Sequence, residues 1–318
     1  MKAMVLKSPG GVENLILEDI PVPTIKDDEV LVKIKAISVN PVDATLRRNG
    51  DFLRLVLHLK KDENPVLLGW DISGVVEQTG SAVTRLRKGD EVFGMVNFTG
   101  HGKAYAEYVA AREDHVALKP SSVTHAEAAA ATLAALTAWQ TLVHLSGVKA
   151  GDKVLVHSAA GGVGHYAVQI ARHLGAYVIG TSSAVNKDFV LGLGADEHID
   201  YSKQRFEEWV NDADVVVDSV VEKDHLERSL QALKRKGKLI SLVVFPDERL
   251  SRLALMSRKF LYRMEVGSDG ADMQAIAELL GKGHLRSHIS RTFSFHEIPL
   301  AHKELETGHT RGKIVIMM

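Results

Sequence analysis

The segment "KVLVHSAAGGVGHYAVQIARHLGAYVIGTSS", residues 153–183, decides the fold. An apolar run is followed by a glycine cluster, an amphipathic stretch, a glycine and a second apolar run. This order predicts strand, tight turn, helix and strand, the first unit of a doubly wound dinucleotide-binding domain. In "AAGGVG", residues 159–164, alanine replaces the first glycine of the usual fingerprint. The loop alone therefore leaves an ordinary strand-to-helix turn as the alternative.

The glycine cluster is the predicted pyrophosphate site. Gly161 lets the backbone approach a phosphate, and Gly164 lets the helix lie close to the sheet. Free N–H groups at the start of the helix favour an anion. The predicted cofactor-binding residues of this loop are Ser158, Ala160, Gly161, Gly162, Val163 and Gly164.

The end of the second strand indicates which dinucleotide binds. No Asp or Glu lies between Gly175 and Asp188 to accept hydrogen bonds from a ribose 2′-hydroxyl group. Hydroxyl groups and a cation, which suit a 2′-phosphate, lie there instead. These predicted cofactor-binding residues are Thr181, Ser182, Ser183 and Lys187. The segment favours NADPH over NADH, and the alternative is a solvated loop in which Asn186 begins the next helix.

The composition is that of an ordinary globular protein. The 318 residues are 45% hydrophobic and 25% charged, with a formal net charge of −1, and the length suits two domains. This balance gives no indication of a nucleic-acid partner. The absence of cysteine removes disulfides, cysteine nucleophiles and thiolate metal sites. Because no segment predicts a signal peptide or a membrane span, we expect a cytoplasmic protein without a membrane partner.

The pattern along the chain predicts an α/β protein of two domains. Residues 1–120 contain short β-branched runs bounded by turn residues, with one helical insertion near residues 41–59, and predict a β-rich domain. Residues 121–267 alternate strands with helices, which predicts a doubly wound Rossmann domain with six parallel strands. Residues 268–318 end in strands that we expect to rejoin the first domain. A ligand is expected in the cleft between the domains.

Motifs along the whole chain resemble one family. "SVNPVDATLRRNG", "LLGWDISGVV", "GHGKAYAEYV", "LAALTAWQTL", "LGADEHIDY" and "TGHTRGKIVI" occur in this order around the glycine loop. They resemble the quinone oxidoreductase (zeta-crystallin-like) branch of the zinc-independent medium-chain dehydrogenase/reductases. The resemblance implies a GroES-like catalytic domain, a Rossmann domain, NADPH as hydride donor, and quinones or α,β-unsaturated carbonyls as acceptors. It also implies a homodimer paired through the last Rossmann strand, "KFLYRMEV".

The resemblance also bears on zinc. The zinc alcohol dehydrogenases carry a ligating cysteine and a ligating histidine where this sequence has Asn40 and Trp70. We predict no metal site. His284 and His288 are four residues apart, but their segment is a glycine-led turn that enters a strand. Without a Lewis acid simple ketones lack an activating group, whereas quinones and enones are electrophilic by themselves.

Three residues are predicted to form the catalytic site. The resemblance places Asn40 near the nicotinamide, where its amide can donate to a substrate carbonyl, with Asp43 close by. Asn40 and Asp43 also fit the start of a helix at Pro41, and the two roles of Asn40 are compatible. Trp70 is either a flat wall for a quinone ring or a core aromatic residue. The sequence offers no convincing general acid.

Four further residues are predicted to contact the cofactor: Thr137, Tyr201, Phe245 and Arg311. Phe245 is predicted from its place after the fifth strand of the domain, and the others follow from the resemblance. The alternatives are a buried helical threonine at 137 and a turn cation at 311. The apolar segment of residues 52–69 is either a substrate lid or a partner surface.

The leading function is NADPH-dependent reduction of quinones or conjugated carbonyls. A 2-enoyl thioester reductase is the first alternative, and it needs a basic anchor for the carrier. The pairs Arg47 with Arg48 and Lys60 with Lys61 are candidates for that anchor. A protein that binds NADPH without catalysing a reaction is the second alternative.

Overall fold

The computed structural model describes residues 1–60, 65–222 and 224–318. The described chain divides into two compact units. Unit 1 comprises Met1–Leu136 and Gly267–Met318, and unit 2 comprises Thr137–Val266. None of the helices in the described ranges combines the length and the apolarity needed to cross a bilayer. The boundaries predicted for the catalytic and the cofactor-binding domain stay predictions, and so do the functions assigned to these two domains.

The first part of unit 1 consists mainly of strands. They are β1 (Lys2–Leu6), β2 (Leu15–Asp19), β3 (Glu29–Val39), β4 (Val66–Leu67), β5 (Asp71–Thr79), β6 (Glu91–Met95), β7 (Tyr108–Arg112) and β8 (Val116–Leu118). Its helices are α1 (Pro41–Arg48), α2 (Gly50–Leu57), α3 (His125–Ala130) and α4 (Leu133–Trp139), the last of which continues into unit 2. The alternation typical of a strand is visible in β3, where Val32 and Ile34 are buried and Lys33 and Lys35 are exposed.

Strands and helices alternate in unit 2. The strands are β9 (Lys153–Val156), β10 (Tyr177–Ser182), β11 (Glu197–Asp200), β12 (Ala213–Asp218), β13 (Leu233–Ser241) and β14 (Phe260–Arg263). The helices are α5 (Gly164–His173), α6 (Lys187–Gly192), α7 (Phe206–Trp209), α8 (His225–Gln231) and α9 (Glu248–Met256). The chain then returns to unit 1 with α10 (Gly270–Gly281), β15 (Ile289–Ser294), α11 (Ile298–Glu306) and β16 (Lys313–Met317).

Two sheets lie in the described part of unit 1. One has the order β2-β1-β4, and the other has the order β15-β16-β3-β5-β6-β8, with β7 also paired to β3. Strand β16 pairs antiparallel with β3, so Ile314 lies opposite Val39. The small residues of α3 pack closely on this sheet, where Ala129 contacts a cluster that includes Ala36. Strand β16 thereby brings Lys313 next to Asn40, the residue between β3 and α1.

The sheet of unit 2 positions the candidate cofactor site. Within the described residues its strands have the order β11-β10-β9-β12-β13-β14, and all of the pairings are parallel. The predicted doubly wound sheet of six parallel strands is therefore confirmed. The strand order reverses between β9 and β12, and ligands of such sheets bind at the carboxyl ends of the strands at this point. Apolar residues of these strands, such as Leu155 and Val216, are fully buried.

Two predicted helices are each broken by a side-chain hydrogen bond. The predicted insertion at 41–59 is two helices, because the Asn49 side chain accepts a bond from Phe52 N at 3.0 Å and begins α2. The alanine-rich run of residues 128–143 also predicts a single helix, but the helix is interrupted between α3 and α4. There, Asp71 Oδ1 accepts a bond from Leu133 N at 3.0 Å, and Thr132 Oγ1 donates to the Ala129 carbonyl at 2.9 Å. A π-helical turn, Gln140–Leu145, follows α4.

Candidate active site

The glycine loop joins β9 to α5 at the carboxyl edge of the unit 2 sheet. Ser158 has a left-handed conformation with a φ of 52°, and its carbonyl oxygen accepts a hydrogen bond from Gly161 N at 2.8 Å. A β-carbon on Gly164 would lie 2.1 Å from the same carbonyl oxygen. Glycine at 164 is therefore required for α5 to begin this close to the loop.

The alanine that replaces the first fingerprint glycine has a counterpart in β10. A β-carbon on Gly180 would lie 2.9 Å from Cβ of Ala159 and 2.6 Å from Cγ1 of Val190. The methyl group of Ala159 therefore occupies space that the missing side chain of Gly180 leaves open. In addition, Ala159 N donates to the Thr181 carbonyl at 2.9 Å, which fixes the loop to β10.

The start of α5 fits a pyrophosphate. The backbone N–H groups of Gly162 and Val163 donate no hydrogen bond to any described residue. These groups lie directly before a helix of 10 residues. Unsatisfied N–H groups at a helix N-terminus attract an anion, because they also carry the positive end of the helix dipole. The loop thus meets the requirement of a dinucleotide phosphate.

The residues predicted to recognise a 2′-phosphate meet where β10 and β11 end. The sequence predicts this role for Ser182, Ser183 and Lys187, and Tyr201, which the resemblance predicts to contact the cofactor, lies next to Ser182. Tyr201 N donates to the Ser182 carbonyl at 3.3 Å, and Lys187 and the Tyr201 ring are exposed. His198 of β11 belongs to this group, with its Nε2 2.8 Å from Ser182 Oγ. Hydroxyl groups, an ammonium and an imidazole suit a phosphate.

A buried polar network connects the strands beneath the loop. Asp218 Oδ2 lies 2.8 Å from His225 Nδ1 and accepts a bond from Ser229 Oγ at 2.8 Å. The ring of His157 lies 3.1 Å from Ser229 Oγ through Nε2 and 3.0 Å from Thr181 Oγ1 through Nδ1. Burial lowers the pKa of His157 to about 3, so this ring is neutral. Since the Ser229 hydroxyl donates to Asp218, it accepts from His157 Nε2, and the Thr181 hydroxyl donates to His157 Nδ1.

The same network contains three groups that could ligate a metal. One atom each from His157, Asp218 and His225 lies within 4.8 Å of the others. Hydrogen bonds already connect these side chains to one another or to Ser229 and Thr181. We therefore interpret the group as a structural network that positions the ends of β9, β10 and β12.

In unit 1, Asn40 is held between a cation and an anion. Its side-chain oxygen accepts a hydrogen bond from the Lys313 ammonium, and its nitrogen donates to Asp71 Oδ2 at 2.7 Å. The ammonium also lies 3.8 Å from the Asp71 carboxylate. Burial lowers the pKa of Lys313, while the nearby carboxylates of Asp71 and Asp43 oppose this effect. All of these side chains are buried within the described residues.

Asp43 lies directly beside this group. Its Oδ2 accepts a bond from Asn40 N at 2.8 Å, so Asn40 and Asp43 form the start of α1 as the sequence predicts. Burial is the main cause that raises the pKa of Asp43 to about 7, and the hydrogen bond from Asn40 opposes the shift. Nearby, Tyr105 Oη lies 2.9 Å from His302 Nε2. Burial lowers the pKa of His302 to about 3.

Trp70 is a buried side chain of unit 1. Its ring is fully buried and makes an edge contact with Phe98, with 5.1 Å between ring centroids. The indole N–H donates to the Gly100 carbonyl at 2.9 Å. Gly102 lies so close that a β-carbon there would be 2.4 Å from the indole. This packing is that of a core aromatic residue, and a role as a substrate wall stays a prediction.

The other predicted residues are distributed over both units. Thr137 is buried on α4. Phe245 follows β13 and is 67% exposed, with the Arg263 guanidinium 4.7 Å from its ring centroid. Arg311 belongs to unit 1, where its charge lowers the pKa of His288, although burial of His288 is the larger cause. Their proposed contacts with a cofactor stay predictions.

Several residues around Asn40 and around the glycine loop could not be identified from the sequence. Lys313 lies in the quoted motif "TGHTRGKIVI" and Asp71 in "LLGWDISGVV", yet nothing local marks either as a partner of Asn40. His198 lies in "LGADEHIDY", where its alternation with buried Ile199 is the only signal. His157, Ser229 and His225 come together only when β9 and β12 pair.

Comparison with known proteins agrees with this architecture. The alcohol dehydrogenase GroES-like domain matches residues 26–121, and the zinc-binding dehydrogenase domain matches residues 193–316. A 2-methylene-furan-3-one reductase from Solanum lycopersicum is 37% identical over 99% of this chain and 79% of its own length. An NADPH-dependent alkenal/one oxidoreductase from Arabidopsis thaliana is 35% identical over the same shares, 99% and 79%. The solved quinone oxidoreductase from Coxiella burnetii is 35% identical with a TM-score of 0.92, covering 100% of this chain and 99% of that one.

A GroES-like β-rich part combined with a doubly wound sheet that carries a glycine loop defines a two-domain dehydrogenase/reductase. Sequence identities of 35–37% to the two plant reductases, over nearly the whole chain, specify the family within this class. The chain belongs to the quinone and enone oxidoreductases of the medium-chain dehydrogenase/reductase superfamily. The family and fold expected from the sequence motifs are confirmed, and the protein is an oxidoreductase.

Proposed function

We propose that this protein is an NADPH-dependent reductase of quinones and α,β-unsaturated carbonyls that works without zinc. The observation that carries the proposal is the environment of Asn40. The family resemblance implies that this position corresponds to a ligating cysteine of the zinc alcohol dehydrogenases. Here the Asn40 amide is hydrogen-bonded to the Lys313 ammonium and the Asp71 carboxylate. A buried ammonium beside this position disfavours a divalent cation there through charge repulsion. Relatives named as quinone and enone oxidoreductases, which match nearly the whole of this chain, support the substrate class.

The chain offers a fitting set of groups for NADPH. The N–H groups of Gly162 and Val163 would hold the pyrophosphate. Ser182, Ser183 and Lys187 would hold the 2′-phosphate, for which a carboxylate in their place would be repulsive. The name of the Arabidopsis thaliana relative specifies NADPH and supports this choice. When bound, the reduced nicotinamide supplies a hydride to an electrophilic carbon.

Asn40 supplies the polar contact to the substrate in this proposal. An amide nitrogen carries two hydrogens, and Asp71 takes one of them. The second is a donor for a substrate carbonyl oxygen. Because quinones and enones need no Lewis acid, positioning the acceptor and one hydrogen bond to its oxygen are sufficient contributions from the protein.

One observation disfavours the enoyl thioester alternative. Arg47 is one of the residues predicted to anchor the carrier of a thioester. Its side chain is buried, donates a hydrogen bond to the Gly10 carbonyl at 2.7 Å and forms an ion pair with Glu306. It is therefore committed to the structure of unit 1. Arg48 is exposed but also pairs with Glu306, at 3.2 Å. Residues 61–64, which include Lys61 and belong to the apolar segment 52–69 predicted as a substrate lid or a partner surface, lie outside the described residues.

The test follows NADPH oxidation by absorbance against a panel of acceptors. We expect turnover with benzoquinones, short enones and enals, little with a 2-enoyl thioester, and none with a saturated ketone. Fastest turnover with the thioester would support the first alternative, and tight NADPH binding without any turnover would support the second. Metal analysis of the active protein is expected to give no stoichiometric zinc, and stoichiometric zinc would overturn the zinc-independent proposal.

We also propose a homodimer formed through β14, and the cytoplasmic location stays a prediction. Strand β14 is at the edge of its sheet and begins with the exposed Phe260. Leu255 and Met256, at the end of the preceding helix α9, are also exposed apolar residues. Exposed edges and apolar patches favour association. Leu255→Glu together with Phe260→Glu should give monomers in sedimentation velocity. Leu17→Glu, a similarly exposed apolar position on β2, should leave the dimer intact, and a monomeric wild type would contradict the proposal.

A further inference from the structure

His198 and Ser182 form a hydrogen-bonded pair whose proton positions follow from their neighbours. Ser182 Oγ donates to the Ser183 carbonyl at 3.2 Å. Since a carbonyl can only accept, the Ser182 hydroxyl has used its hydrogen, and it accepts from His198 Nε2 at 2.8 Å. Neutral His198 therefore carries its proton on Nε2. Its Nδ1 keeps a lone pair and makes no hydrogen bond to a described residue.

Burial and a neighbouring cation favour the neutral form of the His198 ring. Burial is the largest cause that lowers the pKa of His198, the Lys187 ammonium lowers it further, and the Asp200 carboxylate opposes both. Asp200 at the end of β11 and Lys187 at the start of α6 are the charged groups that face the imidazole. An added dianion near Ser182 would reverse this balance, because an opposite charge within about 4–6 Å favours the charged imidazolium.

We propose that His198 takes up a proton when the 2′-phosphate of NADPH binds beside Ser182, and that it thereby contributes to selection of NADPH over NADH. The inference rests on the proposed use of NADPH. The proton comes from solvent and binds Nδ1, which gives the ring a positive charge and a second N–H donor. A 2′-hydroxyl group carries no charge, so binding of NADH should leave the protonation state of His198 unchanged.

The sign of the proton exchange separates His198 from the phosphate itself. A phosphate monoester has a second pKa of about 6, and a cationic site favours its dianion, so the ligand alone releases protons on binding. Protonation of His198 takes protons up. The difference between wild type and a variant without this imidazole therefore isolates the contribution of His198, and its sign is uptake.

The experiment measures NADPH and NADH binding calorimetrically at pH 7 in two buffers of different ionisation enthalpy. His198→Gln keeps a side-chain donor and removes the titrating group. His173→Gln, an exposed position in the last turn of α5, is the matched control. We expect His198→Gln to bind NADPH about tenfold more weakly, the value of one charge-assisted hydrogen bond, and to take up fewer protons than wild type. NADH binding should change less than twofold, and His173→Gln should resemble wild type.

A second measurement needs no variant. Histidine labelled with ¹⁵N in the wild-type chain allows the pKa of His198 to be followed by NMR, and we expect it to rise on addition of NADPH and to stay unchanged with NADH. Equal proton uptake by wild type and His198→Gln, or an unchanged pKa with NADPH, would overturn the role of His198. Tighter wild-type binding of NADH than of NADPH would instead overturn the proposed cofactor, so the two failures are distinguishable.

Discussion

The ammonium of Lys313 donates a hydrogen bond to the side-chain oxygen of Asn40, although 272 residues of chain lie between them. This contact orients the amide, because the oxygen must face the cation and the nitrogen must then face Asp71. Lys313 is therefore a positioning residue in the proposed reaction. Its effect on turnover should pass through Asn40 and not through the cofactor.

Replacing Lys313 by Met should separate stability from orientation. The single variant leaves the Asp71 carboxylate buried without its cation and should lower the free energy of unfolding by about 3–5 kcal/mol. Lys313→Met with Asp71→Asn removes both charges and should recover most of that loss, as urea unfolding would show. Turnover of the double variant should stay at least tenfold low, because the amide has lost the cation and the anion that fix its orientation. Recovery of both stability and turnover would refute the positioning role.

Asn40→Ala should reduce turnover more than NADPH affinity. The substitution removes the proposed donor to the substrate carbonyl, and the loss of one such donor costs about 10²-fold or more in rate at comparable sites. NADPH binding, measured by fluorescence, should change less than threefold because the glycine loop lies in the other unit. An unchanged turnover would exclude a direct role of Asn40 in catalysis.

Gly164→Ala should disrupt the glycine loop. The new methyl carbon would lie 2.1 Å from the Ser158 carbonyl oxygen, so α5 or the loop must shift. NADPH affinity should fall by more than tenfold, which equals about 1.4 kcal/mol. Gly192→Ala is the matched control, since no atom lies within 4 Å of its added carbon. It should be neutral or stabilise by up to about 1 kcal/mol, and a similar loss in both variants would contradict the argument.

His302 should make the protein sensitive to acid. Burial lowers its folded-state pKa to about 3 from an ordinary value of 6.5. The unfolded chain therefore binds more protons as pH falls below 6.5, and stability is lost by up to about 1.4 kcal/mol for each pH unit.

The comparison is between wild type, His302→Gln and the exposed control His309→Gln. Urea midpoints between pH 7.5 and 4.5 should fall less steeply for His302→Gln than for wild type. The control should follow wild type. Parallel slopes for all three proteins would show that His302 is not the titrating group.

The glycine loop and the alternation of strands and helices in unit 2 were predictable because their signals are local. Apolar runs of four to six residues, turn glycines and intervening helices specify a βαβ unit without knowledge of the remaining chain. The same reasoning predicts that Ser182 and Lys187 contact a phosphate, and that contact stays a prediction. It missed His198, because the contact between His198 and Ser182 depends on the register between β10 and β11.

The Asn40 site was only half predictable. The start of α1 at Asn40 and Asp43 was predicted from neighbouring residues, and the structure shows α1 beginning there. The hydrogen-bond partners of the Asn40 amide could not be predicted from neighbouring residues. Lys313 belongs to β16 and Asp71 to β5, and both strands pair with β3. The break between α3 and α4 is likewise decided by Asp71, which lies 62 residues from the N–H group it binds. Long-range pairing overrides local helix propensity in such cases.

The fit between Ala159 and Gly180 has a consequence for how this loop can change over time. A methyl group is accommodated at 159 because none is present at 180, and adding one there would bring the two β-carbons to 2.9 Å. A side chain at 180 would therefore require glycine at 159 and, in addition, a shift of Val190, whose Cγ1 would lie 2.6 Å from the new β-carbon. The order of substitutions is constrained, and the effect of either change depends on the residue already present at the other position.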